Sequence, residues 1–97
     1  MIYGVVLMDK NEGIVELYKI IASLETPEEV DELLEDLCTY KEIEQMSQRI
    51  KAAKLLLAGD TYEEVIAKTN ISSATLSRVS KCVKYGKGYK KYISNDK

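Results

Sequence analysis

Apolar positions recur at spacings of three and four along most of the chain, the signature of one helix face. Ile14, Leu17, Tyr18, Ile21 and Leu24 form the first such stripe and predict a helix from about Asn11 to Leu24. Thr26-Pro27-Glu28-Glu29 is a helix start: a Thr cap, Pro at the first helical position and Glu at the third. The helix behind it turns Val30, Leu33, Leu34 and Leu37 inward and Glu28, Asp31, Glu32, Glu35 and Asp36 outward. Thr39-Tyr40-Lys41-Glu42 reads as a capping box opening the longest helix, which runs to about Ala58 and is stopped by Gly59. Its seam is Ile43, Met46, Ile50, Ala53 and Leu57, and Leu55 and Leu56 widen the apolar surface beyond one face. Such a helix needs more cover than its own small chain supplies, so it is expected to be the spine of a homodimer.

The stretch from Thr61 to Val83 predicts two short helices joined by a tight turn. Thr61 and Glu64 make a capping box, and Val65 starts the apolar face. Asn70 stands where the chain must turn sharply, and Asn tolerates left-handed backbone better than any residue but Gly. Ile71 is the apolar plug of the turn, and Ser72 or Ser73 caps the second helix. Leu76, Val79 and Val83 form the buried face of that helix; Ser73, Ala74, Ser77, Arg78, Lys81 and Lys84 form the other. Small hydroxyls and long cations with no acid among them suit a surface that approaches phosphates and base edges, the chemistry of a helix-turn-helix in the major groove of DNA. Ile66 is the discordant residue, because a small side chain usually stands at that position, where the two helices cross. After Val83, Gly86 and Gly88 break the helix, and Tyr89, Tyr92 and Ile93 predict a short final helix in which at least one Tyr packs back on the core; direct contact of the interleaved basic residues and tyrosines with nucleic acid is the alternative.

Charge sharpens this picture. The net charge of −2 hides a gradient: residues 1–48 carry three lysines against twelve acids, and residues 72–97 carry seven cations against Asp96 alone. A basic end continuous with the second hairpin helix points to a polyanionic partner. The chain of 97 residues has no His, which removes the usual general base and the commonest metal ligand. With no Gly-rich phosphate loop and no metal-ligand cluster either, no enzyme, no metal and no cofactor are expected. The carboxylates of residues 28–36 read as a solvated face. Cys38 and Cys82 form no CxxC pair and are expected to be reduced, buried small apolar residues of a cytoplasmic protein. No run approaches the ~18 apolar residues of a membrane span. Residues 1–10 read as an N-terminal arm or a mis-assigned start, with Met8 the alternative first residue. Residues 11–93 form the folded domain and 94–97 a tail.

Three blocks carry a family likeness. They are Leu37-Cys38-Thr39-Tyr40-Lys41-Glu42-Ile43, then Gln48-Arg49-Ile50 with Leu55-Leu56-Leu57-Ala58-Gly59, then Ser73-Ala74-Thr75-Leu76-Ser77-Arg78-Val79 followed by Lys84-Tyr85-Gly86. In this order the chain resembles the tryptophan repressor superfamily and, within it, the YerC/YecD-type repressor-like family, over about Asn11 to Ile93. The resemblance implies an all-α bundle of about six helices, an intertwined homodimer, and a sequence-specific DNA-binding regulator, a repressor in the family's usual sense. Ser72, Ser73, Ala74 and Thr75 would then meet base edges of double-stranded DNA, and Ser77, Arg78, Lys81 and Lys84 would hold phosphates. The resemblance also implies a ligand pocket, to which Thr39, Arg49 and Arg78 correspond as polar positions. There Val79 replaces the glycine beneath the corepressor's indole and Cys82 a nearby serine. An overlap of that kind costs about 1–3 kcal/mol, roughly ten- to a hundredfold in affinity, so tryptophan is not the expected corepressor. Glu63 stands where the repressor has a basic residue, which implies a different operator. Two further readings stay open: a sensor of a smaller amino-acid-type effector using Thr39, Arg49 and Arg78, and a helical dimerisation or adaptor module that binds no DNA.

Overall fold

Local side-chain chemistry starts four of the six helices among the described residues. The computed structural model describes residues 11–93; the expectations for residues 1–10 and 94–97 lie outside the described residues. Asn11 caps α1 (Glu12–Ser23), its Oδ1 accepting the Ile14 N–H at 2.8 Å. Thr26 caps α2 (Pro27–Leu37) by accepting the Glu29 N–H at 3.1 Å, with Pro27 in the first turn. The Glu29 carboxylate reaches back to accept the Glu25 N–H at 2.7 Å, so the side chain closes the entry as well as beginning the helix. These two helices belong to a first compact unit ending at Thr39. Neither buries a residue, and Leu37, expected inside, is 52% exposed. Ile14, Leu17, Tyr18 and Ile21 fall on one stripe as predicted and are exposed along it.

The second unit begins at Tyr40. Its elements are α3 (Tyr40–Leu57), α4 (Tyr62–Thr69), α5 (Ser73–Tyr85) and α6 (Gly88–Tyr92). The spine is α3, against which α4, α5 and α6 all pack. It ends in a Schellman turn: the Gly59 N–H donates to the Leu56 carbonyl at 3.0 Å and the Asp60 N–H to that of Leu55 at 3.0 Å. Gly59 sits at φ +103°, backbone that side chains with a Cβ rarely adopt.

The core of this unit is Ala52, Ala53, Val65, Ile71, Leu76 and Val79, with Leu55, Leu56, Val83, Tyr89 and Ile93 packed around it. The face of α3 turned to the hairpin therefore shares Ala53 with the predicted seam but is turned away from most of it. At 100° per residue Ala52 and Leu56 lie about a third of a turn from Ile43, Met46, Ile50 and Leu57. Two alanines at the crossing let the helix backbones approach closely, whereas Met46 and Ile50 stay exposed. The helix is apolar on two sides, and the hairpin covers one of them.

Of the final tyrosines, Tyr89 packs on the core with Ile93, while Tyr92 is 75% exposed. Cys38 and Cys82 are free thiols, each half-buried rather than fully buried as expected. Among the described residues no helix is long and apolar enough to cross a membrane.

Candidate nucleic-acid interface

The hairpin of α4 and α5 is held by four local devices. Thr61 and Glu64 form the capping box of α4: the Glu64 N–H donates to Thr61 Oγ1 at 3.2 Å, and the Thr61 N–H to Glu64 Oε1 at 2.7 Å. Asn70 ends the helix in the left-handed region, φ 61° and ψ 19°, with its N–H on the Ile66 carbonyl at 3.0 Å. Ser72, rather than Ser73, caps α5 by accepting the Thr75 N–H at 3.2 Å. The fourth device is Thr69, which gave no signal in the sequence because a Thr at a helix end reads as surface. It is buried; its Oγ1 donates to the Val65 carbonyl at 2.7 Å and accepts the Ile71 N–H at 3.1 Å. The hydroxyl thus latches the last turn of α4 to the plug residue of the turn. Ile66, the discordant residue, is 38% exposed and so does not fill the crossing of the two helices.

Between Val65 and Ile93 the chain contains no Asp or Glu. The buried face of α5 is Leu76, Val79 and Ser80, with Val83 half-buried. The opposite face exposes Ser73, Ala74, Ser77, Arg78, Lys81 and Lys84. Ser72 is exposed at the cap, and Thr75 is half-buried behind it, where its Oγ1 accepts a hydrogen bond from the Ser72 hydroxyl at 3.0 Å. Among the described residues, none of Arg78, Lys81, Lys84 or Lys87 is within ion-pair reach of a carboxylate. Lys68 Nζ pairs with Asp60 Oδ2 at 2.8 Å, which ties the end of α4 to the residue before its cap. Its hydrogen bond and charge, from Asp60, raise the Lys68 ammonium above the usual lysine range. Charge divides with the two units: residues 1–39 hold two lysines against ten acids, and residues 40–97 hold twelve cations against six acids.

Of the cavities on the second unit beside α5, two also take in residues of α3. One, of about 300 Å³, gathers Arg49, Arg78, Val79 and Cys82 with Thr75 and Tyr89. Four of the five predicted pocket positions thus meet there; the fifth, Thr39, belongs to the first unit. Val79 belongs to the core, 1% exposed, and its branched side chain lines the cavity from that side. Tyr89 is a wall that periodicity alone assigned to packing. The other cavity, of about 270 Å³, lies at the N-terminal end of α5, where Gln45, Gln48 and Arg49 of α3 stand beside Asn70, Ser72 and Thr75. Among the described residues no three His, Cys, Asp or Glu side chains gather as a metal ion would need.

This arrangement has relatives. The sequence profile of the family described as Trp repressor protein matches residues 12–96. The uncharacterized protein YerC of Bacillus subtilis (strain 168) is 41% identical over 71 residues, 73% of this chain and 68% of that protein. A solved crystal structure from Staphylococcus aureus, classed by name with the Trp repressors, superposes with a TM-score of 0.77 at 36% identity, covering 80% of this chain and 78% of that one.

Proposed function

Because the chain belongs to the Trp repressor family, we propose that it is a sequence-specific DNA-binding transcriptional regulator, a repressor, whose reading helix is α5. The observation that carries this reading is the outer face of α5: exposed hydroxyls and cations that form no ion pair among the described residues, on a capped helix in a segment without a single acid. Ser73 and Ala74 are the exposed first-turn residues and meet base edges together with Ser72, whose hydroxyl also serves the cap. Thr75 stands behind them and holds that cap in place. Ser77, Arg78, Lys81 and Lys84 hold phosphates, which position the helix without specifying sequence.

The working form is a homodimer. The exposed apolar stripe of α1 and the second apolar side of α3, with Met46 and Ile50, are the surfaces that a second copy would cover. A two-fold dimer would present its two reading helices to half-sites one helical turn apart, about 34–36 Å.

Selection of bound fragments from a random duplex pool tests the whole reading. The expected result is a two-fold-symmetric site. Lys81→Ala should then weaken binding to all sequences alike and lower the salt slope by about one for every phosphate it no longer neutralises. Binding without sequence preference that fades evenly with salt would refute specific recognition, and no binding at all would favour the adaptor reading.

A second reading is favoured by one observation, the cavity that joins Arg49 and Arg78. Two guanidinium groups at one mouth suit a carboxylate, and the Val79 side chain there argues against an indole and for a smaller effector. A thermal-shift panel of amino acids checks it, because a ligand that binds only the folded protein raises its melting temperature.

A further inference from the structure

The exposed stripe of α5 does not stop at Lys81. Ala74, Arg78, Lys81 and Tyr85 follow one another at steps of four, three and four, so Tyr85 stands one turn beyond Lys81 on the same face. Its side chain is 81% exposed, unlike that of Tyr89, which the core uses. A tyrosine left this open contributes almost nothing to the fold. Its ring and the Arg78 and Lys81 side chains border one shallow furrow of about 540 Å³, floored by Ala74, Cys82 and Gly86.

Beyond Tyr85 the chain turns a built corner. The Gly86 N–H donates to the Cys82 carbonyl at 2.8 Å, and a Cβ on Gly86 would lie 2.7 Å from that same oxygen, so no larger residue fits without moving backbone. Lys90 Nζ returns from α6 to the Lys84 carbonyl at 3.1 Å, and Tyr89 and Ile93 anchor α6 on the core. Cations near a helix C-terminus ordinarily serve its carbonyls. Here Lys90 and the Gly86 N–H already do so, which leaves the side chains of Lys87 and Tyr85 without a partner among the described residues.

We propose that this corner is a second phosphate-binding edge, at which the Tyr85 hydroxyl and the Lys87 ammonium, beside Lys84, hold the sugar-phosphate backbone of double-stranded DNA outside the groove that α5 enters. The proposal rests on α5 being the reading helix. From Ala74 to Tyr85 the helix rises about 16 Å, roughly five base pairs of duplex axis at ~3.4 Å each, so Tyr85 lies beyond the bases met by the first turn. A neutral O–H donor and a flanking ammonium suit a phosphodiester, and no carboxylate in the segment opposes it.

The test is phosphate-ethylation interference and salt-dependent affinity on the selected duplex, for the wild type, Tyr85→Phe, Lys87→Ala and Lys81→Ala. Both corner side chains are exposed, so unchanged thermal midpoints are expected. Tyr85→Phe should weaken binding about two- to tenfold with the salt slope unchanged. Lys87→Ala should lower the slope by about one, the share of a single neutralised phosphate. In each, one interfering phosphate at the margin of the footprint should disappear while the preferred sequence stays the same. If both corner variants bind as the wild type while Lys81→Ala is weakened, the edge is idle and the reading of α5 stands. If Lys81→Ala is also without effect, that reading falls and this proposal with it. A change in preferred sequence would mean that the corner meets bases and would overturn the phosphate assignment.

Discussion

Replacing Thr69 by Val tests whether one hydroxyl sets the hairpin. The two side chains have nearly the same shape, so the change removes a buried donor and acceptor with little loss of packing. The Val65 carbonyl lies within a helix and keeps that environment; the Ile71 N–H has Thr69 Oγ1 as its partner, at 3.1 Å, on a residue only 4% exposed. Leaving a buried N–H unpaired costs about 1–3 kcal/mol, and the methyl gained in place of the hydroxyl returns somewhat less than about 0.8 kcal/mol. The expected net loss is about 1–2 kcal/mol, roughly five- to thirtyfold in the folding equilibrium. Urea unfolding at fixed protomer concentration should show a lower midpoint with an unchanged slope. Hydrogen exchange should show the Ile71 amide protected in the wild type and fast in Thr69→Val. The control is Thr69→Ser, which keeps the hydroxyl and loses a methyl, and should cost about 1 kcal/mol or less. Val should therefore be worse than Ser. The reverse order, with Ile71 still protected in the Val variant, would mean that the side chain merely fills space.

Gly86→Ala and Gly59→Ala should both lower the melting temperature, for different reasons. At Gly86 the new Cβ meets a backbone oxygen at 2.7 Å and should cost about 1–3 kcal/mol. At Gly59 nothing lies within 4 Å, and the cost of about 1–2 kcal/mol comes from φ +103° alone. Asn70→Gly should be neutral to within about 0.5 kcal/mol, and Asn70→Ala should cost about 1 kcal/mol, because φ 61° penalises a Cβ that has no local polar compensation. The raised Lys68 ammonium contributes stability that is fully present below its ordinary value near 10.5 and is lost as pH rises through the higher folded value. An NMR titration should show Lys68 Nζ titrating above the ordinary lysine value, and Asp60→Asn should bring it down. The effect on stability itself should be small, because the ammonium is open to solvent.

The devices legible in the sequence are those whose partners lie within a few residues. The Thr61 and Glu64 box, the Thr26 cap, the Asn70 turn and the Gly59 stop are all three- or four-residue events, and each stands where its residue type predicts. Leu76, Val79 and Val83 are legible because α5 has a single apolar side. On α3 periodicity finds a seam and a wider apolar surface but not which part the hairpin takes: Ala53, Leu55 and Leu56 are used there, the small Ala52 joins them with no signal of its own, and Met46 and Ile50 stay exposed. Volume at a crossing is decided by the partner helix, and periodicity carries no information about it. Thr69 is illegible because its value depends on burial. Gly86 reads as a helix breaker, yet its φ of −87° is ordinary and the requirement is the proximity of the Cys82 carbonyl. Among the tyrosines, spacing could not separate Tyr89, which packs, from Tyr85 and Tyr92, which do not.

A chain with a net charge of −2 and an isoelectric point near 5.2 looks at first a poor candidate to approach a polyanion. Net charge is the wrong quantity at close range. At physiological ionic strength charges are screened over about 8 Å, so a phosphate at the surface of α5 responds to the cations beside it and hardly to carboxylates more than a screening length away. The segment from Val65 to Ile93 carries seven cations and no acid, and Arg78, Lys81 and Lys84 are the ones on the outer face of α5. The acids gather in residues 1–39, at two lysines to ten carboxylates. Concentrating them in that unit leaves the other with twelve cations against six acids of its own, and it penalises approaches in which the acidic unit meets DNA first. The charge division therefore orients the encounter, and the orientation should depend on salt. Neutralising Glu28, Glu32 and Glu35 on the outer face of α2 should leave the dissociation rate unchanged and raise non-specific binding. Changes at Lys81 should appear in both dissociation rate and salt slope. Equal effects from both sets of substitutions would show that only total charge matters and would refute the division.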